Sequence, residues 1–187
     1  NAVADDPDAA HFGQWLYFDT RFSGNGEVAC ATCHDPEQGF ADGVALGEGL
    51  GPLGRHTPSV LNTAANRWFF WDGRKDTQWS QALGPMESSV EHGGNRLQFA
   101  HLIDDDVDLR AGYEAVFGAL PSMGDPDRFP DHGMPDPGDP DGEWNLAWES
   151  MEPDDQDLVN RVFTNMGKAI AAYERLLMSG NAPIDDF

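Results

Sequence analysis

The chemistry of this chain is concentrated in Cys30-Ala31-Thr32-Cys33-His34. Two thiols three residues apart share one helical turn, where both can meet the vinyl groups of one porphyrin. The histidine directly after them then faces the iron. The stretch therefore predicts covalent attachment of one c-type haem through Cys30 and Cys33, with His34 as proximal axial ligand. The competing readings lack support. A thioredoxin-type dithiol belongs among alternating strands and helices, which this sequence does not show. A zinc site asks for two more good ligands near by, and there is no second cysteine pair. A disulfide across so short a spacing leaves His34 without a role.

A monohaem electron carrier closes its iron with a sixth ligand, often a downstream methionine. Met86, Met123, Met134, Met151, Met166 and Met178 are the candidates. Met166 and Met178 fall in a helical pattern and read as core. Met123 and Met134 could reach the iron only if the segment that carries them folded over it. Nothing in the spacing demands methionine ligation.

The elements that must position these groups read as almost entirely helical. Phe12, Trp15, Leu16 and Phe18 give the stretch 9–18 one apolar face. A short helix is expected at 30–34, a long glycine-rich loop against the haem over 35–58, and further helices over 96–103 and 108–117. The clearest helix starts near Asp154. Its apolar positions Val159, Val162, Phe163, Met166, Ile170, Tyr173 and Leu177 recur at steps of three and four, with Gly180 as a stop signal. Residues 119–152 differ from everything around them. They hold six prolines, four glycines and nine acids, with Arg128 as the single basic residue apart from histidine. This predicts an irregular acidic surface insertion, pinned at its end by Trp144 and Trp148. Asp139-Pro140-Asp141-Gly142 is similar to part of a calcium loop, but the EF-hand frame fails at Pro137 and Trp148. The fold expected is one all-α cytochrome c-like domain over 1–187.

Charge is the outstanding bulk property: 11 Lys and Arg against 33 Asp and Glu give a net −22 over 187 residues. Nucleic acid and anionic membranes are poor partners for such a surface. A cationic patch on a redox partner fits it better. No apolar run approaches the ~20 residues that span a bilayer. Covalent haem c is assembled outside the cytoplasmic membrane in bacteria, so a periplasmic or extracellular home is expected. No charged-then-apolar leader precedes Asn1, as in a processed chain.

Several ordered motifs then point to one family. They are Trp15-Leu16-Tyr17-Phe18-Asp19-Thr20-Arg21-Phe22-Ser23, the haem motif, Gly54-Arg55-His56-Thr57-Pro58-Ser59-Val60, and Phe70-Trp71-Asp72-Gly73-Arg74. Gln81, Glu91 and Ala169-Ile170-Ala171-Ala172-Tyr173-Glu174-Arg175 continue the series. Together they resemble the N-terminal, peroxide-reactive haem domain of the bacterial dihaem cytochrome c peroxidases and the related enzymes that oxidise tryptophan side chains. The resemblance implies hydrogen peroxide as substrate, His34 as proximal ligand, and Gln81 and Glu91 on the open distal side. Peroxide cleavage needs a group that takes a proton from one oxygen and returns it to the other, which a carboxylate can do. Gln81 would orient the peroxide or stabilise charge. By spacing alone Glu91 is one of 33 acids; its role comes from the resemblance. Trp71 is expected to pack in an aromatic run, and the resemblance places it between two haems as an electron relay. Arg55 and Arg74 are expected to pair with haem propionates or with loop acids.

The departures from the family pattern carry expectations of their own. Glu48 stands at the position of a histidine that caps the resting iron in some members. An iron open or water-bound without reductive activation follows, which leans towards oxidation of a partner protein's tryptophan. His56 replaces an asparagine that helps hold a calcium ion between domains, so calcium is doubtful. His92 could perturb Glu91 or compete for the distal site. His11, His101 and His132 read as surface or packing residues. The family's second haem domain has no counterpart here, since there is no second Cys-x-x-Cys-His. A partner haem on another polypeptide, a partial chain and a single-haem relative all remain open. The alternative to the enzyme is a six-coordinate electron-transfer cytochrome.

Overall fold

The computed structural model describes residues 2–180. Residues 181–187 lie outside the described residues. Seven helices are found among those described: α1 (Pro7–Phe18), α2 (Cys30–Cys33), α3 (Gln78–Glu87), α4 (Arg96–Asp105), α5 (Val107–Phe117), α6 (Glu143–Glu149) and α7 (Pro153–Glu174). Only isolated bridges, such as Asp35 with Ala41, represent β structure there.

α1 starts where Asp6 accepts the N–H groups of Asp8 (2.9 Å) and Ala9 (3.2 Å), with Pro7 in the first turn. Such a cap occupies donors the helix leaves unpaired. α7 begins with Pro153, and Asp154 and Asp155 complement the positive end of its dipole. Its buried face carries Val159, Val162, Phe163, Met166, Ile170 and Tyr173.

α7 is the spine against which α1, α3 and α4 pack. Two glycines bring the neighbours close. A Cβ on Gly13 of α1 would lie 1.9 Å from the Ala169 carbonyl oxygen, and one on Gly167 would lie 2.6 Å from that of Trp79. Both crossings are therefore backbone against backbone, which no other residue type permits. The core between them includes Phe12, Leu16, Phe22, Phe99, Met166 and Ile170, all essentially inaccessible.

Several expectations change. α3 was not legible, because Gly84 and Pro85 read as breakers; Pro85 lies inside its last turn, where only two helical residues follow. The 119–152 stretch is irregular only as far as Gly142 and then forms α6. It is more than a surface loop. Leu120, Met123 and Phe129 are buried, and Arg128 reaches Asp155 of α7 through two bonds of 2.5 and 3.1 Å. Trp148 is buried as expected, and Trp144 stacks on His132. α7 ends at Glu174 rather than at Gly180. Met178 is consequently outside the helix and exposed, while Met166 is core.

Candidate haem site

α2 is a single turn. His34 N–H closes it on the Cys30 carbonyl at 2.9 Å, and the Thr32 hydroxyl accepts the Ala29 N–H at 2.9 Å. It docks on α1, with Cys30 and Ala31 packed against the main core. Both thiols are free. Burial pushes the Cys30 thiol up to about 12, and Cys33 is raised as well, by burial and by the charges of Asp42 and Glu91. A redox dithiol needs the opposite shift, towards thiolate. The thiols are therefore poised as protonated, partly covered groups.

His34 is set by several contacts, and the backbone carbonyls of Phe40 and Pro58 both bear on its ring. Its Nδ1 lies 3.2 Å from the Phe40 carbonyl oxygen, which can only accept, so Nδ1 carries the proton and Nε2 keeps its lone pair. The Tyr17 hydroxyl donates to the His34 carbonyl at 3.4 Å. Burial holds the imidazole below its ordinary proton affinity, and it therefore stays neutral. A neutral ring with one nitrogen oriented by a carbonyl is the usual state of an iron-binding histidine. The donor set thus fits a covalently held haem: two thiols on one turn and a neutral imidazole directly after them. Phe40 adopts φ 59°, a left-handed conformation rare for a bulky residue. That strain turns its carbonyl to His34 while its ring stays on Tyr17, 6.4 Å between centroids.

Glu91 follows α3 in the tight turn 88–93. It is half-buried, and its charge bears on both Cys33 and His34. Gln81 is half-buried on α3, one turn ahead of Pro85, whose carbonyl accepts the His92 N–H at 3.1 Å. His92 is turned into the body of the protein. It is 5 % exposed, with Nδ1 2.9 Å from the Phe22 carbonyl, and burial keeps it neutral. It anchors the Glu91 turn to the body instead of competing for the distal space. Glu48 is exposed, and its carbonyl lies 3.4 Å from Cys33 Sγ.

Trp71 corrects the packing expectation: it is 84 % exposed, beside an exposed Trp68. Arg55 lies over its ring, 5.6 Å from the centroid. Arg74 pairs with its neighbour Asp72 at 2.8 Å and covers Phe70, rather than reaching the 119–152 acids. His56 is exposed with Nδ1 on the Thr57 carbonyl, 3.0 Å away. His101 bonds the Pro130 carbonyl at 3.1 Å, and His11 sits on the surface edge-on to Trp15.

One group escaped the sequence reading. Glu174, at the end of α7, is 5 % exposed and accepts from Gln78 Nε2 at 3.0 Å, which also bonds Thr63 Oγ1. It is near enough to Cys30 and Tyr17 to raise both. The motif Tyr173-Glu174-Arg175 was its only signal.

A profile of the di-haem cytochrome c peroxidases matches residues 7–187. The chain belongs to that family. It is 46 % identical over 181 residues to the methylamine utilization protein MauG of Methylorubrum extorquens, covering 96 % of this chain and 40 % of that protein. It is 31 % identical over 178 residues to the cytochrome c551 peroxidase of Pseudomonas aeruginosa, covering 92 % and 40 %. The chain thus spans about two fifths of the length of these relatives. The diheme peroxidase BthA of Burkholderia thailandensis has the same fold, with a TM-score of 0.65 and 22 % identity over 91 % of this chain and 38 % of that one. A MauG-like protein associated with microbial copper homeostasis has it too, at a TM-score of 0.66 and 21 % identity over 96 % and 43 %.

Proposed function

We propose that this chain is the peroxide-reactive domain of a haem oxidoreductase, with one haem c held by Cys30, Cys33 and His34. When bound, the haem supplies an iron that takes up hydrogen peroxide and accepts its oxidising equivalents. The chain's own residues do the rest. Phe40 and Tyr17 fix His34, and the neutral imidazole keeps Nε2 available as a ligand. Glu91 receives a proton from one peroxide oxygen and delivers it to the other, and Gln81 holds the peroxide by hydrogen bonding. Arg55 and Arg74 are proposed partners of the haem propionates, beyond the contacts they make within the chain. No calcium site is proposed, and among the described residues no cluster of His, Cys, Asp or Glu stands ready for a metal.

The carrying observation is Glu91. Glu91 is a half-buried carboxylate whose charge bears on both His34 and Cys33, which supports reading it as a proton-transfer group of the haem site. The electron-carrier alternative has less support, because Met86, Met123, Met151 and Met166 are all committed to the apolar core. Electrons would pass through Trp71, whose exposure suits contact with a second redox centre, either another haem domain or a partner protein. Oxidation of a partner protein's side chain is the favoured outcome, since the resemblance aligns Glu48 with the capping histidine of other members. The setting proposed is the bacterial periplasm or beyond.

The test is Glu91→Gln in the haem-loaded protein, with peroxide reaction followed by stopped-flow absorbance. The expected result is an unchanged haem content and a rate lower by roughly 10²–10⁴-fold, the usual share of a positioned acid–base group. A wild-type rate would remove Glu91 from the mechanism.

A further inference from the structure

The loop 47–51 bridges two parts of the candidate site through its main chain. At one end the Glu48 carbonyl contacts Cys33 Sγ at 3.4 Å. One residue later the loop lies directly on the turn that carries Glu91. Leu50 N–H donates to the Glu91 carbonyl and Gly51 N–H to that of Val90, each at 3.0 Å. Between these contacts there is no room for a side chain at residue 49. A Cβ on Gly49 would lie 2.8 Å from the Glu91 Cα, from its carbonyl oxygen and from that of Val90. All three are backbone atoms, so nothing can rotate aside.

The loop is itself braced. Gly47 N–H bonds the Arg55 carbonyl, and Leu53 N–H bonds that of Gly47, both at 2.9 Å. The far side of the turn is held equally firmly, by Gly24 N–H on the His92 carbonyl at 2.8 Å and by His92 Nδ1 on Phe22. Relief of a new side chain at 49 must therefore displace Glu91, the loop, or both.

We propose that Gly49 is a positioning residue for Glu91: its bare α-carbon lets the loop 47–51 seat on the Glu91 main chain and ties that carboxylate to the haem-attachment thiol Cys33. The proposal rests on the reading of Glu91 as the proton-transfer group. Geometry of this kind matters because misplacing a reacting group by about 1 Å costs about 10²-fold in rate. It also explains why Glu48 itself need not enter the chemistry. Its carbonyl, not its side chain, makes the contact.

The experiment compares Gly49→Ala, Gly51→Ala and Leu50→Ala in the haem-loaded protein, each alone and combined with Glu91→Gln. Gly51 is the control, since a Cβ there meets only the Val90 side chain at an ordinary 3.7 Å. Leu50→Ala adds no atoms; it removes a side chain lying on Gly93. Haem content, the peroxide rate and its pH profile are read for each. Gly49→Ala is expected to keep its haem, lose about 10- to 100-fold in rate and show an altered pH profile. Added to Glu91→Gln it should cause no further loss. Gly51→Ala should match the wild type, and Leu50→Ala should lose a smaller part of the rate by the same route. If Gly49→Ala fails to take up haem, Leu50→Ala decides. The proposal is overturned if the deciding variant reacts as wild type, if its loss multiplies that of Glu91→Gln, or if Gly51→Ala is impaired as much. A normal Gly49→Ala beside a crippled Glu91→Gln defeats this inference alone, whereas a normal Glu91→Gln defeats the reading beneath it.

Discussion

At the scale of single residues, the site is built from groups whose proton affinities are moved by burial. His34 is kept neutral and both thiols protonated, which is the state in which they can receive a haem. Glu174, at the end of α7, is moved as well. Burial raises it from 4.5 to about 7, against the single opposing effect of the Gln78 hydrogen bond. The sign follows from proton counting. Between those two values the folded chain holds a proton that the unfolded chain has released, so stability falls as pH rises through that window. Above it the full penalty applies, about 3 kcal/mol. Glu174→Gln keeps the shape and the Gln78 contact without the charge. It is expected to raise Tm over the wild type by roughly 5–10 °C at pH 8 and by little at pH 5, as read by calorimetry of the holoprotein. An equal gain at both pH values would mean that Glu174 is not the titrating group.

At the scale of elements, the close crossings of α7 with α1 and α3 set where everything else stands. Gly13→Ala must drive α1 off the Ala169 carbonyl. Overpacking of this kind costs about 1–3 kcal/mol, so Tm should drop by several degrees. Gly54→Ala, where a Cβ meets nothing within 4 Å, should leave Tm unchanged. Equal effects in thermal melts would deny that the crossing depends on Gly13. The same elements show what the sequence makes legible. α1, α4, α5 and α7 were readable because their apolar residues recur with helical period and their starts carry Asp, Asn or Pro. The haem turn was readable from its spacing alone. α3 was hidden by Gly84-Pro85, and its buried positions Gln78, Ala82 and Met86 give a weak apolar stripe. No local pattern shows that Phe40 lends its carbonyl to His34, because that depends on a left-handed φ. Gly49 and His92 were equally silent: their contacts run between segments 40 to 70 residues apart in sequence.

At the scale of the whole molecule, a chain of net charge −22 exposes a small aromatic and cationic face, with Trp68, Trp71 and Arg55 at the surface. Large exposed aromatics of this kind mark places where a second surface is met. Relatives more than twice as long offer one candidate for that surface, and a separate redox partner offers another. On the proposed function, the domain has to present an iron that peroxide can reach. Met86, Met123, Met151 and Met166 are buried in the core, His92 is turned inward and Glu48 is exposed, which supports the proposal of His34 as the single strong axial ligand. The electron paramagnetic resonance spectrum of the oxidised holoprotein at neutral pH tests that claim most directly. A high-spin ferric signal is predicted, from an iron with His34 on one side and water or nothing on the other. A purely low-spin signal would contradict it, because it requires two strong axial ligands and a closed distal face.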